Sequence, residues 1–316
     1  MIILREYFSC FGFSSHFLGN ISRKRLVYQQ HNHSKINSII PIFTPNHHPE
    51  QDCWVIENPT ATHDLIGYCS VYAQTAERST LYVIIHPNWR RKGFGSALLT
   101  KALKRARELK ARQVTIYANA QNMAANAFLG HHGFRLVGAS WVLLAPLDIV
   151  LEAIHWPAGY TVDNAFAESL LPALVEVMNC SYADTWGHAE NDQATTEEDA
   201  RNWLNTSDQK GLFLVFAPDG SIAGFCRAIR ATEPKAPDAL GSAAPDQLEQ
   251  PGVVPEHRHQ ELYRPLALTA LHWLRSNGSR DILLQSWGDT EQTIALYRSI
   301  GFTQLQHFLA YQQEFF

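Results

Sequence analysis

The chain has 316 residues, a formal net charge of −4, 46% hydrophobic residues and 18% charged residues. This length suits about two domains of common size, and the composition is that of an ordinary globular protein. The small net charge excludes a general attraction to nucleic acid or to anionic membranes. No uninterrupted apolar run approaches the roughly 18 residues that a transmembrane helix needs.

The cysteine usage points to a reducing compartment. The five cysteines are scattered, odd in number and without a C-x-x-C pair: Cys10, Cys53, Cys69, Cys180 and Cys226. Such thiols indicate neither a disulfide framework nor a zinc site, so we expect a cytoplasmic protein.

The N-terminal extension, residues 1–51, is basic and poorly defined. Within residues 1–49 the charged residues are Arg5, Arg23, Lys24, Arg25 and Lys35 against the single acid Glu6. The extension lacks an apolar segment followed by a small-residue cleavage site, so a targeting peptide, a loosely packed region and an early start codon remain open. Four of its histidines could bind a metal, but a solvated tail is favoured and no metal is predicted: His31, His33, His47 and His48.

The first regular elements are strands. Residues 53–56 and 65–72 predict a hairpin with a turn at Asn58 and Pro59. A further strand, residues 81–85, ends before Pro87, which lacks the N–H that a ladder needs. The sequence then predicts a turn that leads into a helix starting near Ser96.

This turn has the composition of an anion cradle. Gly93 and Gly95 have no side chains, so successive backbone N–H groups can approach a phosphate, and the helix N-terminus adds its positive end. Arg90, Arg91 and Lys92 can meet further phosphate oxygens. A basic turn without a ligand is the alternative interpretation.

After the cradle, residues 113–117 predict a strand, residues 124–132 a short helix and residues 141–144 a final strand. Here the residues resemble the GNAT superfamily of N-acetyltransferases. Its pyrophosphate loop reads Gln/Arg-x-x-Gly-x-Gly/Ala, which Arg90, Gly93 and Gly95 match, and its later signature is matched by Asn122 and Gly133-Phe134.

The resemblance implies an α/β fold of two tandem GNAT-like domains, each a mixed, mostly antiparallel sheet flanked by helices. It also implies acetyl-CoA as cosubstrate, with its pantetheine arm along Val83 and Ile85 near Asn122. The loop residues that would hold the pyrophosphate are Arg90, Arg91, Lys92, Gly93, Phe94, Gly95 and Ser96.

The second half of the chain repeats the first. Arg90 is answered by Arg258 and Gly133 by Gly301, both at an offset of 168 (258 minus 90, 301 minus 133). A constant offset of this kind marks an internal duplication. The resemblance therefore covers residues 52–316, in the tandem layout of the mycothiol synthase type. We expect a first domain at 52–155 with an intact loop and a second at 156–316 with a degenerate one.

The two copies depart from the family in opposite ways. The second loop has Glu261 and Tyr263 where the first has glycines, and a carboxylate there repels a pyrophosphate. The first copy lacks the family's usual acid and base, since the corresponding positions are Leu129, Ser79 and Leu81; the second has Tyr297, Gln247 and Glu249. The candidate catalytic residues are accordingly Glu249 and Tyr297, with His132 as a substitute in the first copy. His131 and His132 could equally cap a helix C-terminus.

These patterns predict an N-acyltransferase, most simply an acetyltransferase, that acts on a primary amine of a small molecule or peptide. A non-catalytic coenzyme-A-binding sensor or scaffold is the alternative. We expect one acetyl-CoA per chain, chemistry in the first copy, and no nucleic-acid or membrane partner. The amine acceptor and the oligomeric state do not follow from the sequence.

Overall fold

A computed structural model describes residues 49–57, 65–146, 150–186, 194–206, 209–230 and 246–315. Outside these ranges lie most of the predicted N-terminal extension with its histidines, the hairpin turn at Asn58 and Pro59, and residues 231–245 of the second copy. The strands are β1 (Cys53–Glu57), β2 (Leu65–Ala73), β3 (Arg78–Ile85), β4 (Gln113–Asn119), β5 (Arg135–Pro146), β6 (Thr161–Asp163), β7 (Leu212–Phe216), β8 (Ile222–Ile229), β9 (Asp246–Glu249), β10 (Gly252–Val253), β11 (Asp281–Trp287) and β12 (Thr303–Glu314). The longer helices are α1 (Phe94–Glu108), α2 (Met123–His131), α3 (Leu171–Ser181), α4 (Glu197–Leu204), α5 (Tyr263–Ser276) and α6 (Glu291–Ser299).

The chain forms two compact units. The N-unit comprises the described residues within Pro41–Ala139 and His307–Phe316, and the C-unit those within Ser140–Gln306. Each unit has a mixed sheet flanked by helices, which confirms the predicted fold class. In the described part of the chain, no helix is long and apolar enough to span a membrane.

The N-unit sheet has the order β1-β2-β3-β4-β12. The β1, β2 and β3 strands pair antiparallel, β3 and β4 pair parallel, and β12 pairs antiparallel with β4. The predicted hairpin of β1 and β2 is therefore confirmed. Helix α1 buries Leu98, Leu99, Ala102 and Ala106 against one sheet face, as its helical spacing of apolar residues predicts. Arg105, on the same helix, donates to the buried Asp52 at 2.8 Å.

The C-unit sheet has the order β6-β7-β8-β9-β11-β5, with β10 also paired to β8. Helices α3 and α4 cover one part of its core through Leu171, Leu174 and Leu204. Helix α4 begins with a capping box, in which Thr196 and Asp199 each accept a backbone N–H of the other. This box places the start of the helix at Glu197.

Equivalent hydrogen bonds recur in the two units at the spacing that the sequence predicts. His86 N–H donates to Ile66 O at 2.7 Å, and Val254 N–H to Ala223 O at 3.0 Å. Phe134 N–H donates to Leu129 O and Phe302 N–H to Tyr297 O, both at 3.1 Å, after glycines with positive φ. The helices before these glycines thus end in the same way, and the strand orders correspond.

The final strand of each repeat lies in the unit of the other repeat. Residues 140–146 of β5 pair with β11 in the C-unit, and residues 308–314 of β12 pair with β4 in the N-unit. The compact units therefore do not follow the predicted division at residue 155. Periodicity within a strand identifies its buried face but not its pairing partner, so this exchange was invisible in the sequence.

Candidate functional site

The cradle of the N-unit connects β3 to α1. After Ile85 a single turn of 3-10 helix, Pro87–Trp89, leads to Arg91 and Gly93, whose φ angles are 62° and 83°. Helix α1 starts at Phe94, two residues earlier than predicted, with Gly93 as its N-cap. The first i to i−4 bond is made by Ala97 N–H to Gly93 O, so the preceding first-turn N–H groups lie before the helical ladder.

The side chains around this loop leave its centre open. A Cβ added at Gly93 would meet nothing within 4 Å, and the first turn of α1 contains no acid. Arg90 donates through Nε to Ile85 O at 3.2 Å, and the Lys92 ammonium lies 4.5 Å from the centre of the Trp89 ring. Positive charge and open N–H groups at a helix start form a site suited to an anion.

Two of the predicted site residues have structural contacts of their own. Asn122 accepts Ala125 N–H at 3.1 Å and is the N-cap of α2. His132 follows α2, packs its ring on Phe128, and has Nε2 3.0 Å from Ser96 Oγ. His132 therefore lies at the first turn of α1, beside the cradle, whereas Asn122 fixes the helix that carries Phe128.

In the equivalent loop of the C-unit, the arginine is paired with a carboxylate. Arg258 repeats the contact of Arg90, with Nε on Val253 O at 3.3 Å, and also donates to both oxygens of Asp184 at 2.6 and 2.8 Å. Glu261 replaces Gly93 and keeps a left-handed φ of 56°. The guanidinium of Arg258 therefore already has an anionic partner, unlike that of Arg90, which contacts a backbone carbonyl.

Glu249 is engaged in an ion pair. Its carboxylate accepts Arg227 Nε at 2.8 Å and Trp203 Nε1 at 3.0 Å, and it contacts a second guanidinium nitrogen of Arg227. The Arg227 side chain is buried, with 3% exposure. Glu249 is the last residue of strand β9.

Tyr297 is completely buried on α6, and burial raises the pKa of its hydroxyl well above the usual value. Its hydroxyl has no partner of hydrogen-bond geometry among the described residues, and Asp289 is its main charged neighbour. Burial also raises the pKa of Asp289 to about 6, although Ser286 Oγ donates to its carboxylate at 2.6 Å. Tyr182 donates to the backbone carbonyl of Gln250, so a buried polar cluster surrounds Tyr297.

Strand register corrects the predicted equivalents of Glu249. Gly67 of the first copy matches Gly224 of the second at an offset of 157, and the same offset makes Ala228 the counterpart of Val71 (228 minus 71). In the sheet, Val71 pairs with Leu81, and Ala228 pairs with Leu248. Leu81 therefore matches Leu248, and the counterpart of Glu249 is Tyr82. The predicted match of Leu81 to Glu249 is therefore wrong, and Leu81 is buried in the core that includes Leu98 and Leu99 of α1.

Sequence reasoning missed Arg227, Asp289 and Tyr82. Arg227 and Asp289 belong to no motif, but an arginine inside the otherwise apolar strand β8 was a signal for a buried partner. Tyr82 was missed because the second copy has one extra residue between Glu249 and Val253, which shifts the offset by one.

A strand, a glycine turn and a helix start that form an open anion cradle on a mixed sheet are typical of α/β proteins that bind a phosphate-containing cofactor, here in a duplicated layout. The model of the Acetyltransferase (GNAT) family matches residues 19–134 and 171–302. The chain therefore belongs to the GNAT family and is an acetyltransferase with two GNAT regions. The first match begins inside the predicted N-terminal extension.

Individual relatives agree with this assignment. The chain is 26% identical over 244 residues to a mycothiol acetyltransferase of Stackebrandtia nassauensis, covering 76% of each chain. It is 27% identical over 263 residues to that of Saccharomonospora viridis, covering 80% of this chain and 81% of the relative.

Solved structures share the fold. A GCN5-related N-acetyltransferase from Sphaerobacter thermophilus has a TM-score of 0.65 at 20% identity, over 84% of this chain and 81% of that one. A tandem GNAT protein from the clavulanic acid biosynthesis pathway has a TM-score of 0.54 at 18% identity, over 83% and 82% of the two chains.

Proposed function

We propose that the protein transfers the acetyl group of acetyl-CoA to a primary amine and that the reaction takes place in the N-unit. The observation that carries this proposal is the contrast between the two cradles. The N-unit has an open loop with left-handed backbone at Arg91 and Gly93, whereas in the C-unit Arg258 is paired with the carboxylate of Asp184.

The residues of the N-unit cradle suit the pyrophosphate of coenzyme A. The N–H groups of residues 91–96 would donate to its oxygens, and the exposed side chains of Arg90, Arg91 and Lys92 would add charge. The pantetheine arm would run along Val83 and Ile85 toward Asn122. Leu81 and Ile116 are the last pair of the parallel ladder, and beyond them β3 and β4 do not pair with each other. The backbone N–H and C=O groups that face this separation would hydrogen-bond to the arm.

Acetyl-CoA supplies an activated thioester. The amine nitrogen attacks its carbonyl carbon, a C–N bond forms, and the C–S bond breaks from the tetrahedral intermediate. The departing sulfur leaves as thiolate, and one amine proton finally resides on the thiol. Holding the two reactants at about 3 to 3.5 Å can supply roughly 7–11 kcal/mol of the barrier reduction.

Proton transfer in this proposal depends on water or His132 and not on a placed tyrosine. Leu129 occupies the position that holds Tyr297 in the other copy, and His132 is the histidine whose ring contacts Ser96 beside the cradle. General acid–base catalysis contributes about 10² to 10⁴-fold, so its absence would lower turnover without abolishing it. We therefore expect modest turnover.

The acceptor of the mycothiol acetyltransferases is the first specific amine to test, because they are among the chain's relatives over most of its length. The experiment measures thiol release from acetyl-CoA with this amine and with a panel of amino sugars, small amines and peptides. Amine-dependent thiol release supports the proposal. Stabilisation by acetyl-CoA without thiol release from any amine would contradict it and favour a coenzyme-A-binding protein without chemistry.

A further inference from the structure

Strand register brings two tyrosines of the N-unit to one place on the sheet. Strands β3 and β4 pair in parallel from Arg78 with Gln113 to Leu81 with Ile116. Leu81 and Ile116 are buried in the core that includes the buried face of α1. Because side chains alternate along a strand, the next residues, Tyr82 and Tyr117, face the opposite side at the point where the strands separate.

This face is uncharged near the separation. From Thr80 and Thr115 onward, the residues that share it on the two strands are Thr80, Tyr82, Ile84, Thr115, Tyr117 and Asn119. Tyr117 and Tyr72 are the side chains that act electrostatically on Tyr82, and burial raises the pKa of its hydroxyl further above neutrality. The Tyr82 hydroxyl is therefore a hydrogen-bond donor and not a base at neutral pH.

A buried hydroxyl lies beside Tyr82 on the same strand face. Thr80 is 2% exposed, and its Oγ1 has no hydrogen-bond partner among the described residues. Thr80 precedes Tyr82 by two residues on the same strand face and pairs with Tyr72 on β2. Thr80 thus adds a polar group but no charge to this part of the sheet.

The C-unit shows what the position can hold. Its counterpart of Tyr82 is Glu249, a carboxylate that binds a buried cation, Arg227. The N-unit has exchanged this carboxylate for a phenol, so a second positive charge on a ligand would find no acid on this part of the sheet. Burying an unpaired charge costs far more than burying a hydroxyl.

We propose that Tyr82 and Tyr117 are specificity-determining residues that bind the amine acceptor and select amines whose remaining structure carries no charge. This inference rests on the proposed function, since the acetyl group must reach the same separation of β3 and β4 from the cradle. The phenols donate to or pack against hydroxyl-bearing or aromatic acceptors, and the partly buried, uncharged surroundings favour the neutral form of the attacking amine.

The test uses four amines that differ in the charge of the rest of the molecule. Benzylamine and glucosamine carry none, putrescine carries a second ammonium, and β-alanine carries a carboxylate. With the full-length protein and acetyl-CoA, kcat/KM for at least one of the first two should exceed that for each of the last two by tenfold or more.

Variants identify the residues. Tyr82→Phe and Tyr117→Phe should raise the KM for glucosamine about three- to tenfold, the effect of one lost hydrogen bond, with the Kd of acetyl-CoA unchanged. Tyr311→Phe is the matched control, because Tyr311 lies in the same sheet but in the core on the α1 side. Tyr82→Glu, which installs the residue of the C-unit, should shift the preference toward putrescine.

Equal amine kinetics in Tyr82→Phe, Tyr117→Phe and Tyr311→Phe would overturn the inference. A preference of the wild type for putrescine or β-alanine, or no turnover of benzylamine and glucosamine by a protein that binds acetyl-CoA, would overturn it as well. Failure to bind acetyl-CoA would instead refute the proposed function.

Discussion

At the scale of single residues, Asp289 makes the stability of the C-unit depend on pH. Its pKa is about 6 in the folded protein against 3.8 ordinarily, because burial disfavours the carboxylate. Because folding raises this pKa, the contribution of Asp289 to the free energy of unfolding is most favourable below about pH 4 and is lost as the pH rises through 6. Asp289→Asn should therefore stabilise the protein at pH 7.5 by roughly 2–3 kcal/mol, the equivalent of the two-unit shift.

Urea unfolding at pH 4.5 and 7.5 measures this effect. The gain from Asp289→Asn should be much larger at pH 7.5, whereas the exposed Asp281→Asn should change neither value by more than about 0.5 kcal/mol. A gain of the same size at both pH values would contradict the assignment of the pH dependence to Asp289.

Two residues distinguish the proposed location of chemistry from its alternative. Tyr297→Phe removes a buried hydroxyl without a partner of hydrogen-bond geometry and should leave kcat within about threefold, since loss of a true general acid typically costs 10² or more. Glu249→Gln should also spare kcat but should destabilise the fold on the order of 1–3 kcal/mol, because Arg227 loses its charged partner. A hundredfold loss of kcat in Tyr297→Phe with normal acetyl-CoA binding would move the reaction to the C-unit.

The predictability of site residues depended on whether their role is local. Gly93 and the N-cap of α2 at Asn122 follow from short-range rules, namely a left-handed turn and a helix start. The partners of Glu249 lie 22 and 46 positions away on β8 and α4, and no local pattern in the sequence specifies them. Because the second copy has an extra residue after Glu249, the constant offset matched Glu249 to Leu81, whereas its structural counterpart is Tyr82.

At the scale of elements, the exchange of β12 makes the cradle depend on the end of the chain. Seven residues of β12, Phe308 to Glu314, pair with β4, which is the strand next to the cradle strand β3. Their loss would expose the backbone of β4 and remove Tyr311 from the core of the N-unit. A chain that ends at Gln306 should therefore lose acetyl-CoA binding by tenfold or more, although every cradle residue is present.

Thermal unfolding and calorimetry of the shortened chain check this prediction, with a chain that lacks only Phe316 as control. Normal acetyl-CoA affinity after removal of residues 307–316 would show that the N-unit does not need β12. Most ends of the predicted elements lie within three residues of the observed ones, because apolar periodicity and Gly or Pro boundaries determine them. The exception is the final strand of the first copy, which starts at Arg135 and not at residue 141. The exchanged pairing was missed because both copies offer equally suitable neighbours for a final strand.

At the scale of the whole molecule, the two copies have kept one architecture and separated their roles. Shared strand order and equivalent hydrogen bonds show the duplication. The cradles differ because Arg258 pairs with the carboxylate of Asp184, whereas Arg90 donates to a backbone carbonyl. The duplication was readable from constant offsets. The closure of the second cradle was predicted only from Glu261 and Tyr263, since Asp184 lies outside the repeated motif.

The count of acetyl-CoA sites per chain tests the central claim most directly. Calorimetry of the wild type should give one site. A Cβ at Gly95 would meet Phe128 at 3.5 Å, so Gly95→Ala should bind nearly normally, whereas Gly95→Gln should bind weakly and Gly95→Glu not measurably, because a carboxylate there opposes the pyrophosphate. Two equivalent sites in the wild type, or normal binding by Gly95→Glu, would contradict the assignment of acetyl-CoA to the N-unit.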